Sequence, residues 1–378
     1  MSHNAFLKLD TKGILNNFKK IVEAGKKSNK VTHIIEYIFT QNDLESSTYQ
    51  DIYKIFTANV GNDTKCIFDI MMVTKSESSF IHVRKDKYEI QRFDVKAFFK
   101  DSTFKEFIKN VKKTQNEYKN NINSIFVFGG HCDGWYCYCE NFVVNFNMIR
   151  KTFIDNKFHF DLICFDSCYT SSLEIIYQFY DLTNYMMTHQ TYVNYEGFNT
   201  HNISKIFSAD IPFKQKLFIA SLDFFIRSKE EKEHGSVTLV DCKLFAKFLK
   251  LYKKHFDDIR NVIVGKDVKK FITDPCGEWL SYCKVAYGPK HPTCDNTYCG
   301  NMLDLWNVLK TYGNQKIIKC YEDAVLFKSN GIPVNPKYFK HKIKFGGINV
   351  IIDPEKADNS VHYRKLKFYH DYAKHASV

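Results

Sequence analysis

No run of about 18 apolar residues occurs in the 378-residue chain, which argues against a membrane-spanning helix. Residues 1–30 are polar and lysine-rich and lack the charged-then-apolar order of a secretory leader, so the chain reads as soluble and unexported. Neither an internal repeat nor a low-complexity linker interrupts it. An acidic loop with calcium-ligand spacing is missing too, so no cofactor is required by the sequence itself.

What is present is a globular composition. With 44% hydrophobic and 16% aromatic residues, the chain can bury a sizeable core, as one large domain or two intimately packed ones. Twelve cysteines in a chain of this length without a leader are expected to be reduced thiols, which points to a reducing, cytoplasmic location. The net charge of +12 raises a nucleic-acid reading. Against it, the lysines are dispersed. Their densest stretches, Lys247 to Lys254 and Lys337 to Lys344, are interleaved with Phe and Tyr as on solvated faces. A nucleic-acid partner is therefore disfavoured, and oligomeric state is not readable.

Along the chain, Ile14 to Ala24 is an amphipathic helical candidate in a peripheral segment, residues 1–30. A core is expected over residues 31–260, with residues 261–378 packed on it or completing the same domain. Val31 to Phe39 predicts a first strand. The polar turn Thr40-Gln41-Asn42-Asp43 then leads a helix to about Ala58. Thr64 to Thr74 predicts a second strand, and Phe80 to Val83 with Tyr88 to Ile90 a surface hairpin. A helix over Phe104 to Tyr118 follows. Further on, the pattern gives a strand at Tyr185 to Gln190, a helix over Pro212 to Arg227 and a charged loop at Ser228 to His234. Phe271 to Asn301 reads as irregular, Met302 to Tyr312 as helix and Tyr363 to His375 as a closing helix. Strands alternating with helices imply an α/β doubly wound, mostly parallel sheet with right-handed crossovers and an edge hairpin.

One stretch organises the rest. The apolar run Ile125-Phe126-Val127-Phe128 stops at Gly129-Gly130-His131-Cys132-Asp133-Gly134-Trp135. A second run, Phe160 to Phe165, stops at Asp166-Ser167-Cys168. Short apolar runs bounded by turn residues suit strands buried on both faces of a parallel sheet, and ligands collect at the carboxyl ends of such strands. A histidine and a cysteine at one sheet edge suggest a Cys/His dyad, with a thiol nucleophile and an imidazole that moves its proton. A strand-to-helix junction would also place Cys168 at a helix start, where the dipole favours a thiolate.

The ordered set Phe128 to Trp135, then Asp161 to Cys168, then Leu173-Glu174, then Asn184 to Asn199 resembles the clostripain-like cysteine peptidases, distant relatives of the caspases. The resemblance implies a caspase-like fold, with Ser236 to Val240 and Asp241 to about Phe256 similar to the family's second-half strand and helix and Gly346 to Pro354 to its late buried strand, and hydrolysis of polypeptides after Arg or Lys. Cys168 would be the nucleophile and His131 the group that protonates the leaving amine and activates water. The backbone N–H groups of Cys168 and of Cys132, where relatives carry Gly, would face the oxyanion. A position that demanded positive φ would be strained by Cys132. Asp166 and Glu196, the latter in an acidic-Gly-aromatic loop where relatives have Asp, would receive the basic side chain. The competing role for Asp166 is capping the helix after Cys168. Relatives are often activated by self-cleavage after a basic residue, for which Arg150 and Lys151, in a loop from Asn145 to Asp155, are better candidates than the run near Lys229. Some relatives need Ca²⁺. Trp135 is expected beneath the His131 loop.

Three rival readings stand beside this one. Cys276, Cys283, Cys294 and Cys299, with His291, could bind zinc, although their spacing fits no compact paired-thiol pattern. His131, Cys132, Cys137 and Cys139 form a second metal candidate. A catalytically inactive caspase-like scaffold that binds a partner is the third.

Overall fold

The structure, a computed structural model, describes residues 13, 16–18, 20, 27–62, 64–119, 121–134, 136–139, 142–190, 193, 197–198, 200–230, 235–264, 302–329, 346–351 and 365–372. Its first four strands are β1 (Val31–Thr40), β2 (Cys66–Thr74), β3 (Ser78–Val83) and β4 (Tyr88–Phe93). Next come β5 (Ile122–Asp133), its short extensions β6 (Tyr136–Cys139) and β7 (Phe142–Val143), and β8 (Phe160–Asp166). The series continues with β9 (Thr183–Thr188), β10 (Thr238–Asp241), β11 (Met302–Asp304), β12 (Val325–Lys328) and β13 (Asn349–Ile351). The main sheet runs β12-β10-β9-β8-β5-β1-β2-β3-β4. Its centre, from β9 to β2, is parallel, while β3 and β4 form an antiparallel hairpin at one edge and β10 and β12 run antiparallel at the other. The expected mostly parallel doubly wound sheet with an edge hairpin is therefore found.

Each central strand alternates between two cores. Tyr37, Phe39, Phe126, Phe128, Ile163 and Phe165 face one side, an aromatic-rich cluster covered by α2 (Asp101–Glu117), α3 (Phe146–Asp155) and α4 (Leu173–Phe179), for which the first covering helix in the chain, α1 (Glu45–Asn59), lies opposite. Ile34, Ile125, Val127, Leu162 and Cys164 face the other side, toward α1, α5 (Thr200–Ser208) and α6 (Phe213–Glu230). Because side chains alternate with period two, a one-residue slip between β5 and β8 would send both aromatic rows to the wrong face. The register is held by Phe128 and Phe165, directly opposite one another and stacked with ring centroids 4.5 Å apart. Such an aromatic pair adds about 0.5–1.5 kcal/mol beyond its buried area.

Several expectations change. Met302 to Asp304 is a strand rather than the first turn of a helix, because it pairs antiparallel with Asn349 to Ile351 in a separate two-stranded sheet. The helix starts only at Leu305, capped by Asp304, whose carboxylate accepts from the Asn307 amide. Residues 145–155 are not a loop. Asn145 caps helix α3, and Arg150 within it lies 2.6 and 2.7 Å from the two carboxylate oxygens of Asp181 and donates to the Gln178 carbonyl. The cysteines are not all free: Cys132 and Cys137, facing each other across β5 and β6, are joined by a disulfide. The zinc candidates Cys276, Cys283, His291, Cys294 and Cys299 lie outside the described residues, as does Trp135. No described helix is long and apolar enough to cross a membrane.

Candidate active site

The two organising runs end side by side. β5 and β8 are adjacent and parallel, with Gly129 opposite Asp166; His131 and Cys168 each lie two residues further along at the carboxyl edge. On the other flank of β5, β1 runs parallel up to the pair Phe39 and Gly130. A cleft of about 650 Å³ lies at the opposite end of the sheet, near Val31, Cys66 and Arg84, and so is remote from this chemistry.

β5 does not stop at the glycines. It continues through His131 to Asp133 and turns back into β6, with His131 opposite Tyr138. Gly130 (φ +149°) permits this, since a Cβ there would strike the Phe39 ring and carbonyl. Cys132, Cys137 and Cys139 then point into the aromatic core. By the same alternation His131 falls on the other face, that of Asp166. The four-ligand metal reading at His131, Cys132, Cys137 and Cys139 fails for this reason. Two of the sulfurs are joined, Cys139 faces Gln41, and no group of three metal-binding side chains exists among the described residues.

Cys132 carries no backbone strain. Among the described non-glycine residues, positive φ occurs at Lys119, Lys157 and Tyr169 only. Its Cα lies 3.9 Å from that of Cys137, the close spacing of a non-hydrogen-bonded antiparallel pair, in which amides point away from the partner strand.

Cys168 is half-buried, and the Val193 amide donates to its sulfur at 3.4 Å. It does not begin a helix. Tyr169 adopts φ +58°, the Ser171 amide donates to the His189 carbonyl, and α4 starts at Leu173 with Ser172 as its cap. The dipole acts within the first turn of a helix, so this N-terminus lies beyond the thiol. Asp166 does not cap that helix either, because Ser172 accepts from the Ile175 amide.

Asp166 is enclosed instead by the Gly-aromatic part of the later loop. Its Oδ2 accepts from the Phe198 amide at 2.9 Å, while Oδ1 is buried without a hydrogen-bond partner among the described residues. Burial pushes its carboxyl up to about 6, against the opposing Phe198 amide and Arg227. Arg227 on α6 reaches the Gly197 carbonyl at 3.5 Å and pairs with Asp223 at 3.0 Å. Glu196 lies outside the described residues.

Two acids escaped the sequence reading. Asp43, in the turn after β1, accepts from or faces His131 Nε2 at 2.8 Å through Oδ1. The only available signal was its place in the polar turn at the end of a predicted strand. Glu36 on β1 is buried on the same sheet face as Asp166, and burial, then Asp51 and Asp166, raise its carboxyl to about 8. A lone acid within an apolar strand was its signal.

Compared with known proteins, residues 36–214 match the model of the clostripain family. A secreted C11 cysteine protease of Bacteroides thetaiotaomicron, solved with an irreversible peptide inhibitor, superposes with a TM-score of 0.65 at 17% identity, over 91% of this chain and 99% of that one. An inactive zymogen C11 protease of Parabacteroides distasonis superposes with a TM-score of 0.57 at 16% identity, over 92% and 99%. At these identities the likeness concerns the fold. No curated protein matches significantly. Over residues 36–214 the chain is similar to the clostripain family, and its fold is that of the C11 cysteine proteases.

Proposed function

We propose that the protein hydrolyses peptide bonds after Arg or Lys through Cys168 and His131. The observation that carries this reading is the side-by-side ending of β5 and β8, which brings an imidazole and a thiol to one sheet edge. In the acylation step, the Cys168 proton passes to His131 and the sulfur attacks the scissile carbonyl carbon. The oxyanion accepts hydrogen bonds from the amides of Cys132 and Cys168. Collapse of this intermediate expels the amine, which takes the proton from His131 and leaves a thioester on Cys168. Water, deprotonated by His131, then releases the acid and restores the thiol.

Asp166 supports the basic preference. A buried carboxylate with one oxygen lacking a donor suits the fork of a guanidinium, or a lysine ammonium as a point charge. Glu196 would be the second acid by family resemblance. Internal self-cleavage after a basic residue belongs to this reading by family resemblance; Arg150 is held in helix α3 by Asp181, and Lys229 stands in the last turn of α6 rather than in the expected loop, so partial unwinding would precede a cut at either. Ca²⁺ stays an activator to be tested.

Fluorogenic Arg and Lys peptides, with and without reductant and Ca²⁺, test the activity, with Cys168→Ala as control. Turnover by the wild type and none by the variant is expected. No turnover from the wild type under any of these conditions would favour an inactive scaffold. Asp166→Ala should depress turnover of basic peptides far more than alkylation of Cys168 by an uncharged reagent. Equal loss of both would reduce Asp166 to a loop support.

A further inference from the structure

The strand order β1-β5-β8 sets three side chains along one sheet edge: Asp43 just past β1, His131 near the tip of β5, Cys168 just past β8. The imidazole thus stands on the strand between a carboxylate and a thiol. Asp43 Oδ1 is 2.8 Å from His131 Nε2, and the hydrogen bond from His131 is the first reason that the Asp43 carboxyl is held below its usual range. The turn that carries Asp43 is tied down. The Gln41 amide donates to Cys139 Sγ in the His131 hairpin at 3.2 Å, and the Leu44 amide donates to Asn42 Oδ1 at 2.9 Å.

We infer that Asp43 is a positioning residue for His131, converting the proposed dyad into a carboxylate-imidazole-thiol relay; the inference rests on the peptidase reading above. An ionised carboxylate only accepts, so Nε2 must carry a hydrogen in the neutral ring and Nδ1 carries the lone pair. Nδ1 is then the nitrogen that takes the Cys168 proton and returns it to the leaving amine. When the ring is protonated, Asp43 stabilises the imidazolium, and it takes no proton itself. Both side chains are partly exposed, His131 at 32% and Asp43 at 62%, so the contact adds little to folding stability. Its effect is on ring orientation and tautomer.

The experiment compares Asp43→Asn and Asp43→Ala with the wild type in three readouts. Thermal melting is expected to be unchanged, as befits an exposed turn. The ¹⁵N spectrum of the His131 ring is expected to show the hydrogen on Nε2 in the neutral wild type and to lose that preference in Asp43→Ala, since the acceptor within hydrogen-bond reach is gone. For basic peptides kcat is expected to fall by about 10–100-fold with KM little changed. A ring tautomer and a kcat unchanged in both variants would overturn the inference, as would a ¹⁵N spectrum with Nδ1 protonated in the neutral wild-type ring. Wild-type protein without turnover would overturn the peptidase reading alone; the ¹⁵N spectrum would still decide whether Asp43 holds the ring.

Discussion

The amide of Phe198 donates to Asp166 at 2.9 Å, and the residue before it, Gly197, presses its bare Cα side against the same carboxylate with φ +50°. A Cβ at Gly197 would fall on the carboxylate oxygens. Gly197→Ala should therefore cost about 1–2 kcal/mol from the left-handed backbone alone. It should also raise KM for basic peptides as Asp166 is pushed aside. Denaturant unfolding and steady-state kinetics check both, and an unaltered KM would mean that the loop does not shape the specificity pocket.

The pH dependence of selectivity follows from Asp166. Burial raises its carboxyl to about 6, so on the proposed reading a basic substrate side chain would meet a neutral acid below that pH and a charged one above it. For Arg and Lys peptides, kcat/KM is expected to rise with pH through about 6, and Asp166→Asn to remove that limb. A profile identical in the variant would assign the whole limb elsewhere.

Glu36 offers a stability test. Its folded carboxyl sits at about 8, chiefly through burial, whereas an unfolded Glu titrates near about 4.3. The folded state therefore binds the extra proton, and stability falls as pH rises across that window. Glu36→Gln, which keeps the shape of the protonated acid, should stabilise the protein by roughly 4–5 kcal/mol at pH 8 and by almost nothing at pH 4. Melting curves of both proteins at the two pH values decide it; a constant difference would be contrary.

Asp69 behaves with the opposite sign. It is fully buried on β2, yet His33 at 2.9 Å, His82 at 2.8 Å and Arg84 at 3.0 Å surround it. Burial alone would raise its carboxyl, but these partners hold it well below the usual range. Its contribution is present above about pH 3.9, the unfolded value, and is lost as pH falls toward the depressed folded one. Asp69→Asn should cost about 3–5 kcal/mol at pH 7, with the deficit shrinking in acid. A deficit that stays the same from pH 7 to pH 3 would point to packing instead of charge.

Much of the central sheet was legible because buried parallel strands are written as short apolar runs between turn residues. β1, β2 and β8 fall within two residues of their expected limits. β5 was cut short for a physical reason: paired glycines normally end a strand, but here Gly130 makes room for Phe39 and lets the strand run on into a hairpin. Asn145 to Asp155 looked like a loop around a basic pair, whereas a capping Asn145 and the Arg150 contacts with Asp181 make it a helix. Strand-to-helix junctions are commonly tight, which is why the sequence suggests a helix start at Cys168. The bonds of Ser171 to His189 and Asn349 keep this one extended for several residues more.

His131, Cys168, Asp166 and the Gly197-Phe198 turn could be named from the linear chain, because each stands beside a break between apolar periodicity and polar turn residues. Their mutual geometry could not, and neither could Asp43 and Glu36. Asp43 is 88 residues from His131. Nothing local distinguishes it from any other acid in a turn. Only the crossovers that insert β5 between β1 and β8 bring its carboxylate to the imidazole, since contacts between distant segments depend on strand order, which no single stretch of residues encodes.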